Sequence, residues 1–300
     1  MISVVIPTRN RPILLTSLLR KLQLQTKKIG QIIVVDSSDD NLDIEPDTLS
    51  IPNLEYTKVL VRSAAVQRNI GLQLVEPTTE YLVYLDDDVV PPDTYIEALI
   101  SSLEHFGAIG ISGLPFNPNT SLRGKPAGGI GFFRKVFLLD STKDGKLIGS
   151  GINVQVRIYE GDPIKTDWLI GCSVWKFQVV KDLRFESDFH GQSLCEDVIY
   201  SQYARKRGNL YIDPNVHLKH YESQIERPQA REFWKMWVVN RRRLIKVINN
   251  GYFGIVQYWW ANLGQLVICT YSGLTNRNYG FQASLGILQG SILVLRGAKG

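Results

Sequence analysis

Four short apolar runs, three of them followed by a stretch with helical spacing, constrain this chain more than any other feature. ISVVI (2–6) is closed by Pro7, and residues 11–24 then carry Ile13, Leu14, Leu18 and Leu22 at helical spacing. QIIVVD (31–36) ends in an acid. LEYTKVLV (54–61) leads into the helical RSAAVQRNIGLQLV (62–75), and YLVYL (81–85) into TYIEALISSLEHF (94–106). The strand-length runs are apolar nearly throughout, as strands covered on both faces are. The alternation therefore predicts an α/β fold, a mostly parallel sheet flanked by helices. In such sheets ligands bind beyond the carboxyl ends of the strands. Pro7, Thr8 and Arg9, Asp36, and the triplet Asp86, Asp87 and Asp88 all fall there.

The triplet in YLVYLDDDVVPP raises the question of what neutralises it. Alternate side chains of an extended segment share a direction, so Asp86 and Asp88 can converge while Asp87 points elsewhere. Two converging carboxylates make a hard-oxygen site for Mg²⁺ or Mn²⁺, completed by substrate phosphates; read alone, they also suit a solvated turn capping the next helix. The first turn, IPTRNRP, lacks the three-glycine fingerprint, which counts against NAD or FAD. Thr8, Arg9 and Arg11 are suited to holding a nucleotide, or form a plain capped turn, and Asp36 is either an acceptor for a base or ribose or another cap. In CEDVIYSQYARKRG, Glu196 and Asp197 open a helix that runs to Gly208 through Arg205, Lys206 and Arg207. A carboxylate kept ionised at a helix N-terminus can take a proton from an attacking hydroxyl, although acids are common there for capping alone. His217 and His220 follow in DPNVHLKH, as metal ligands or as merely satisfied histidines.

Charge divides the chain. After Glu232 there is no Asp or Glu, while Lys235, Arg241, Arg242, Arg243, Lys246, Arg277, Arg296 and Lys299 contribute +8 of a net +5, leaving −3 for residues 1–232. Residues 247–276 carry no charge, but Gln257, Asn262 and Gln265 interrupt them, so no clean span of about 18–20 apolar residues appears. Trp234, Trp237, Trp259 and Trp260 beside basic residues predict an interfacial helix on anionic lipid, with 281–295 as a second one. The competing reading packs these aromatics on the catalytic domain or on a second subunit of an oligomer. No nucleic-acid motif accompanies the basic tail. The three scattered cysteines, Cys172, Cys195 and Cys269, fit a reducing compartment, and MISVVIPTRN reads as a strand rather than a secretion signal. The expected setting is cytoplasmic, at the inner face of the cell membrane.

Taken in order, VVIPTRNRP, IIVVDSSDD, RSAAVQRNIGL, YLVYLDDDVVPP, WLIGCSVWKF, CEDVIYSQYARKRG and DPNVHLKH resemble the ordered blocks of family 2 glycosyltransferases, inverting enzymes with the GT-A fold, from residue 2 to about residue 245. The resemblance implies a nucleotide-diphosphate sugar donor held by Pro7, Thr8, Arg9, Asp36, Arg68, Asn69 and Asp87. It implies Mg²⁺ or Mn²⁺ on Asp86, Asp88 and His220, Asp197 as general base, and Glu196 orienting that base or the acceptor. It further implies a catalytic domain over 1–222, donor-binding over 1–106 and acceptor-side over 107–222, with a helical extension over 223–300. The acceptor is expected to be a glycan or lipid-linked glycan. Two departures bear on the acceptor pocket: Cys195 stands where the family commonly has glycine before Glu-Asp, and Ser173-Val174-Trp175 follow Gly171-Cys172 where Arg or Asn is common. The rival activities are a noncatalytic sugar-nucleotide-binding subunit and a nucleotidyltransferase. The latter calls for a glycine-rich, lysine-containing first turn, which IPTRNRP does not supply.

Overall fold

The computed structural model describes residues 1–40, 44, 48, 50–116, 129–158, 160–188, 194–221, 229–248, 251–275 and 277–297. The chain forms two compact units, one of residues 1–122 with 158–223 and one of residues 123–157 with 224–300. Segment 123–157 thus clusters with the C-terminal helices, whereas the sequence reading placed it in the acceptor-side half. The boundary expected at 222/223 lies outside the described residues.

The first unit is built on a nine-stranded mixed sheet. β1 (Ile2–Thr8), β2 (Gln31–Asp36), β3 (Leu54–Lys58) and β4 (Tyr81–Tyr84) form its parallel half in the order β3-β2-β1-β4. β1 and β2 are buried at every residue, so the near-continuous apolar runs do sit between two layers. The order continues through β8 (Ser173–Lys176), β6 (Gly110–Phe116), β9 (Leu210–His220) and β5 (Val89–Val90), with β7 (Ile164–Thr166) also on β9. β8 enters antiparallel to both β4 and β6, and β6 and β9 run parallel. The sequence showed no clean period over 107–165, yet β6 and β7 lie there, each finding its partners far along the chain.

Helices α1 (Pro12–Gln23), α2 (Ala64–Leu74) and α3 (Tyr95–His105) follow β1, β3 and β5. Pro12 opens α1, where its missing N–H costs nothing. The face α1 buries is Leu15, Leu18, Leu19 and Leu22, while Ile13 is 83% exposed. Leu18 and Leu22 of the expected helical face are thus buried, and Leu15 and Leu19 complete it in place of Ile13 and Leu14. These leucines join Val4, Ile6, Ile32, Val34 and Val83 with Ile96 and Leu99 in one core. Short α5 (Phe177–Val180) and α6 (Glu196–Ala204) complete the unit. α6 ends one turn before the expected stop at Gly208.

The second unit contains α4 (Gly129–Val136), α7 (Ala230–Ile248), α8 (Gly251–Thr275) and α9 (Arg277–Leu295). Arg241 of α7, one of the residues that make the tail basic, is 1% exposed. Its guanidinium donates to Asn262 Oδ1 at 3.0 Å and Ser150 O at 2.7 Å, and lies 3.9 Å from the Trp237 ring centroid. Trp234, Trp237 and Trp259 pack against the small core of this unit, and only Trp260 of the four tail tryptophans is substantially exposed. No helix among the described residues is long and apolar enough to cross a membrane.

Candidate active site

β1 lies between β2 and β4, so the chain reverses its direction of advance at β1 and opens a crevice at the carboxyl ends of β1 and β4. The carboxylate triplet borders this crevice. Asp87 turns inward, accepting from Thr8 Oγ1 at 2.7 Å and from Arg11 Nη1 at 2.8 Å. Burial pushes its carboxyl up to about 6, against the pull of Arg11 and Thr8. Asp88 accepts from the same Arg11 nitrogen at 3.3 Å and lies 3.1 Å from His220 Nε2. The register explains that meeting across the chain: β5 pairs antiparallel with β9, with Val89 opposite His220.

Asp86 belongs to a second cluster. Arg68 of α2 donates to Asp86 Oδ1 at 2.6 Å through Nη2 and to Glu196 Oε1 through Nη1. The guanidinium is buried, 5.5 Å from the Phe185 ring centroid, and Phe185 in turn stacks on Tyr200 and meets the edge of Tyr84. A Cβ at Gly171 would lie 2.8 Å from Arg68 Nη2 and 3.2 Å from Asp86 Oδ2, so the bare backbone there makes room for the ion pair. Burial works against the Arg68 charge, but Glu196 and then Asp86 hold its pKa above the ordinary arginine value. Burial likewise drives Glu196 up to about 7 despite Arg68, and neighbouring Asp197 adds to the rise. Glu196 Oε2 is buried with no hydrogen-bond partner among the described residues.

Asp197 occupies the first turn of α6, accepting the Val198 N–H at 2.8 Å. Its surface is half-buried, yet it lies deep enough for burial to push its carboxyl up to about 6. Cys195, just before this pair, has φ of +74°. The left-handed backbone there is the conformation glycine adopts without cost, which gives the family's usual glycine a physical reason and leaves this chain with a strained cysteine.

Among the described residues no group of three His, Cys, Asp or Glu side chains is placed to hold a metal ion. The expected set divides: Asp88 and His220 are in contact, while Asp86 is held by Arg68. This pair still fits the cation expected here, because Mg²⁺ and Mn²⁺ are commonly bound through one or two carboxylates plus water and substrate phosphate rather than an all-protein cage. In the protein alone, Arg11 and Arg68 supply the countercharge to the triplet.

Residues 3–143 match the model of glycosyl transferase family 2. Over that span the chain is similar to a family 2 glycosyltransferase domain. Its fold agrees with solved GT-A enzymes. S. aureus TarS residues 1–349 align at 16% identity and a TM-score of 0.57, over 99% of this chain and 82% of that one. The same protein in complex with UDP-GlcNAc aligns at 15% identity and a TM-score of 0.55, over 91% and 71%. The mannosyltransferase PcManGT from Pyrobaculum calidifontis, in complex with GDP-Man and Mn²⁺, aligns at 14% identity and a TM-score of 0.56, over 98% and 86%. No curated protein matches the chain in sequence.

The other residues expected to hold a donor are held in different ways. Pro7 lies inside β1 opposite Val35. Asp36 is fully buried; its Oδ1 accepts from the Ser38 N–H and hydroxyl, and its Oδ2 from Tyr56 OH at 2.5 Å, with Lys58 Nζ at 3.4 Å. That is a full complement of donors for one carboxylate, so here Asp36 organises the end of β2. Arg9 pairs with Asp39 at 3.0 Å, and Arg62 joins the same acid. Asn69 spends its amide on the backbone of Phe185, donating to its carbonyl at 2.7 Å and accepting its N–H at 2.8 Å. Sequence reading passed over Gln67, which is buried and donates to the carbonyls of Thr8 and Val35 at 2.8 and 2.6 Å, tying together the ends of β1 and β2. Its signal is a glutamine among the buried positions of α2, beside Ala65, Gly71 and Leu72.

Proposed function

We propose that the chain is an inverting glycosyltransferase, transferring a hexose or deoxyhexose from a nucleotide diphosphate to a hydroxyl of a glycan or lipid-linked glycan. The observation that carries this reading is the convergence of Asp86 and Glu196 on buried Arg68, which brings the end of β4 to the start of α6, where Asp197 lies. The complexes described for the neighbours, with UDP-GlcNAc and with GDP-Man and Mn²⁺, support the class of donor.

In this mechanism Asp197 takes the proton of the acceptor hydroxyl as the oxygen attacks the anomeric carbon. The diphosphate leaves from the opposite face, so the product has inverted configuration and no covalent enzyme intermediate forms. A base of this kind contributes roughly 100- to 10,000-fold, most effectively when its pKa lies near the working pH. Burial has moved Asp197 in that direction. The unpartnered Glu196 Oε2 is an acceptor for the incoming hydroxyl group, and Arg68 fixes the orientation of Glu196. Thr8 and Arg11 hold Asp87 and position the first turn beside the donor. A divalent cation, when bound through Asp88 and His220 with Asp86 nearby, supplies Lewis-acid stabilisation of charge on the departing diphosphate. The basic C-terminal helices carry the enzyme to the anionic inner face of the membrane.

A thermal-shift screen of UDP, GDP and dTDP sugars with and without Mn²⁺, followed by turnover of the best donor, tests this function. Asp197→Asn is expected to keep donor affinity and to lose turnover by at least about 100-fold, the lower bound for a general base. Donor binding without transfer or slow donor hydrolysis by the wild-type protein would favour a noncatalytic sugar-nucleotide-binding subunit instead.

A further inference from the structure

The outward sides of α8 and α9 are apolar along their length. On α8, Phe253, Val256, Trp260, Leu263, Val267 and Leu274 are between 42% and 79% exposed and recur on one stripe. On α9, Phe281, Leu285, Leu288, Ile292 and Leu295 repeat the pattern at 43% to 73%. No charged residue occurs in 247–276 or 278–295. The inward sides combine apolar side chains, among them Tyr258 and Ile287, with small and polar ones. Asn262, Gln265 and Ser284 are buried, and a Cβ at Gly264, Gly280 or Gly286 would strike Phe137, the Gly273 backbone or the Arg231 carbonyl.

A water-soluble bundle turns charged and polar side chains outward; here large apolar side chains face out as well as in. Close approach through small residues, with large apolar residues outward, is how helices associate where the surroundings are themselves apolar. The flanks select the kind of apolar surroundings. Exposed Lys246 precedes α8, Arg277 is the first residue of α9, exposed Arg296 follows α9, and no acid occurs after Glu232. A helix seam that pairs with its own copy in water commonly carries charges of both signs beside its apolar stripe; this one has none.

We propose that the α8–α9 hairpin is a monotopic docking element that sinks this apolar face into an anionic bilayer without crossing it. The proposal rests on the membrane part of the function given above and assigns it to one surface. The basic flanks meet anionic headgroups, and the aromatic and aliphatic stripe enters the headgroup–acyl boundary. It moves the contact away from Trp234, Trp237 and Trp259, which pack inward, and leaves Trp260 as the natural reporter.

The test is flotation of the full chain with phosphatidylcholine vesicles, with and without phosphatidylglycerol, together with tryptophan quenching by lipids brominated on the acyl chain. The wild type is expected to float with the anionic vesicles and to be quenched. The Leu263→Asp/Leu288→Asp variant, altered at exposed positions, is expected to keep its circular dichroism and to bind at least about tenfold more weakly, since a charge in the acyl region is expensive. Absence of wild-type flotation at low salt, absence of quenching, or undiminished binding by the variant overturns the proposal. So does a wild-type dimer that the variant converts to monomer in the absence of vesicle binding, which would show a second copy on this face. The quenching arm requires no variant. Calorimetric titration with donor, run in parallel, separates the two readings: lost vesicle binding with intact donor binding removes only the docking surface.

Discussion

Replacing Arg68 with methionine tests the electrostatic core of the site. The substitution keeps most of the apolar volume over Phe185 and removes the charge shared by Glu196 and Asp86. The Glu196 arm is fully buried, and breaking such a pair by removing one partner costs about 3–5 kcal/mol because the other charge is stranded. Asp86 is a third exposed, so its arm adds only about 0–1 kcal/mol. The cost depends on pH. Glu196 sits at about 7 in the folded protein against an ordinary 4.5, so it is already largely protonated at pH 5.5. A carboxyl whose folded pKa is raised binds its proton more tightly in the native state, and stability falls as pH rises through that window. Without Arg68 the folded pKa moves higher still, so the variant goes on losing stability relative to wild type above pH 7. Urea unfolding is therefore expected to show a deficit of about 1–2 kcal/mol at pH 5.5, from lost hydrogen bonds, growing to about 3–5 kcal/mol at pH 8.5. Adding Glu196→Gln to Arg68→Met should hold the deficit near the acid value at both pH values. An equal deficit at pH 5.5 and 8.5 in the single variant would refute the reasoning, because Arg68 would then act only through packing and hydrogen bonds.

Two further predictions follow from the start of α6. Cys195→Gly relieves a left-handed backbone at a cost in unfolded-chain entropy, and should stabilise the protein by up to about 1 kcal/mol, read as a rise in Tm; a fall in Tm would mean that the cysteine side chain contributes more than its backbone costs. Because Asp197 must be ionised to accept a proton and burial places it at about 6, kcat/KM should fall about tenfold per unit as pH drops below 6 and level off above about 7. A profile flat from pH 5 to 8 would remove Asp197 from the role of base.

The strand-and-helix order of the donor side was legible because each buried strand is written locally as an apolar run closed by a turn residue, and each helix by its period. ISVVI, QIIVVD and YLVYL needed no distant information to declare themselves, and the order of the acid-bearing turns pointed to the family. What neutralises the triplet was not local. Arg11 reaches Asp87 and Asp88 because β1 and β4 are neighbours, and Arg68 reaches Glu196 across 128 positions because the fold brings α2 to the start of α6. Asp36 reads in the sequence as an acceptor or a cap; the β2–β3 register brings Tyr56 and Lys58 to its Oδ2, and neighbouring Ser38 takes its Oδ1.

By itself the sequence determined which segments become strands and helices, since hydrophobic period and turn chemistry act over a few residues. It also determined that 247–276 and 278–295 would be uncharged, with basic residues at their flanks. Only the tertiary structure decided which acids share which arginine, which face of each helix turns outward, and that Cys195 bears a backbone made for glycine. Those outcomes depend on register and on contacts between residues far apart in the chain, and a one-residue change in either would assign the same side chains to other partners.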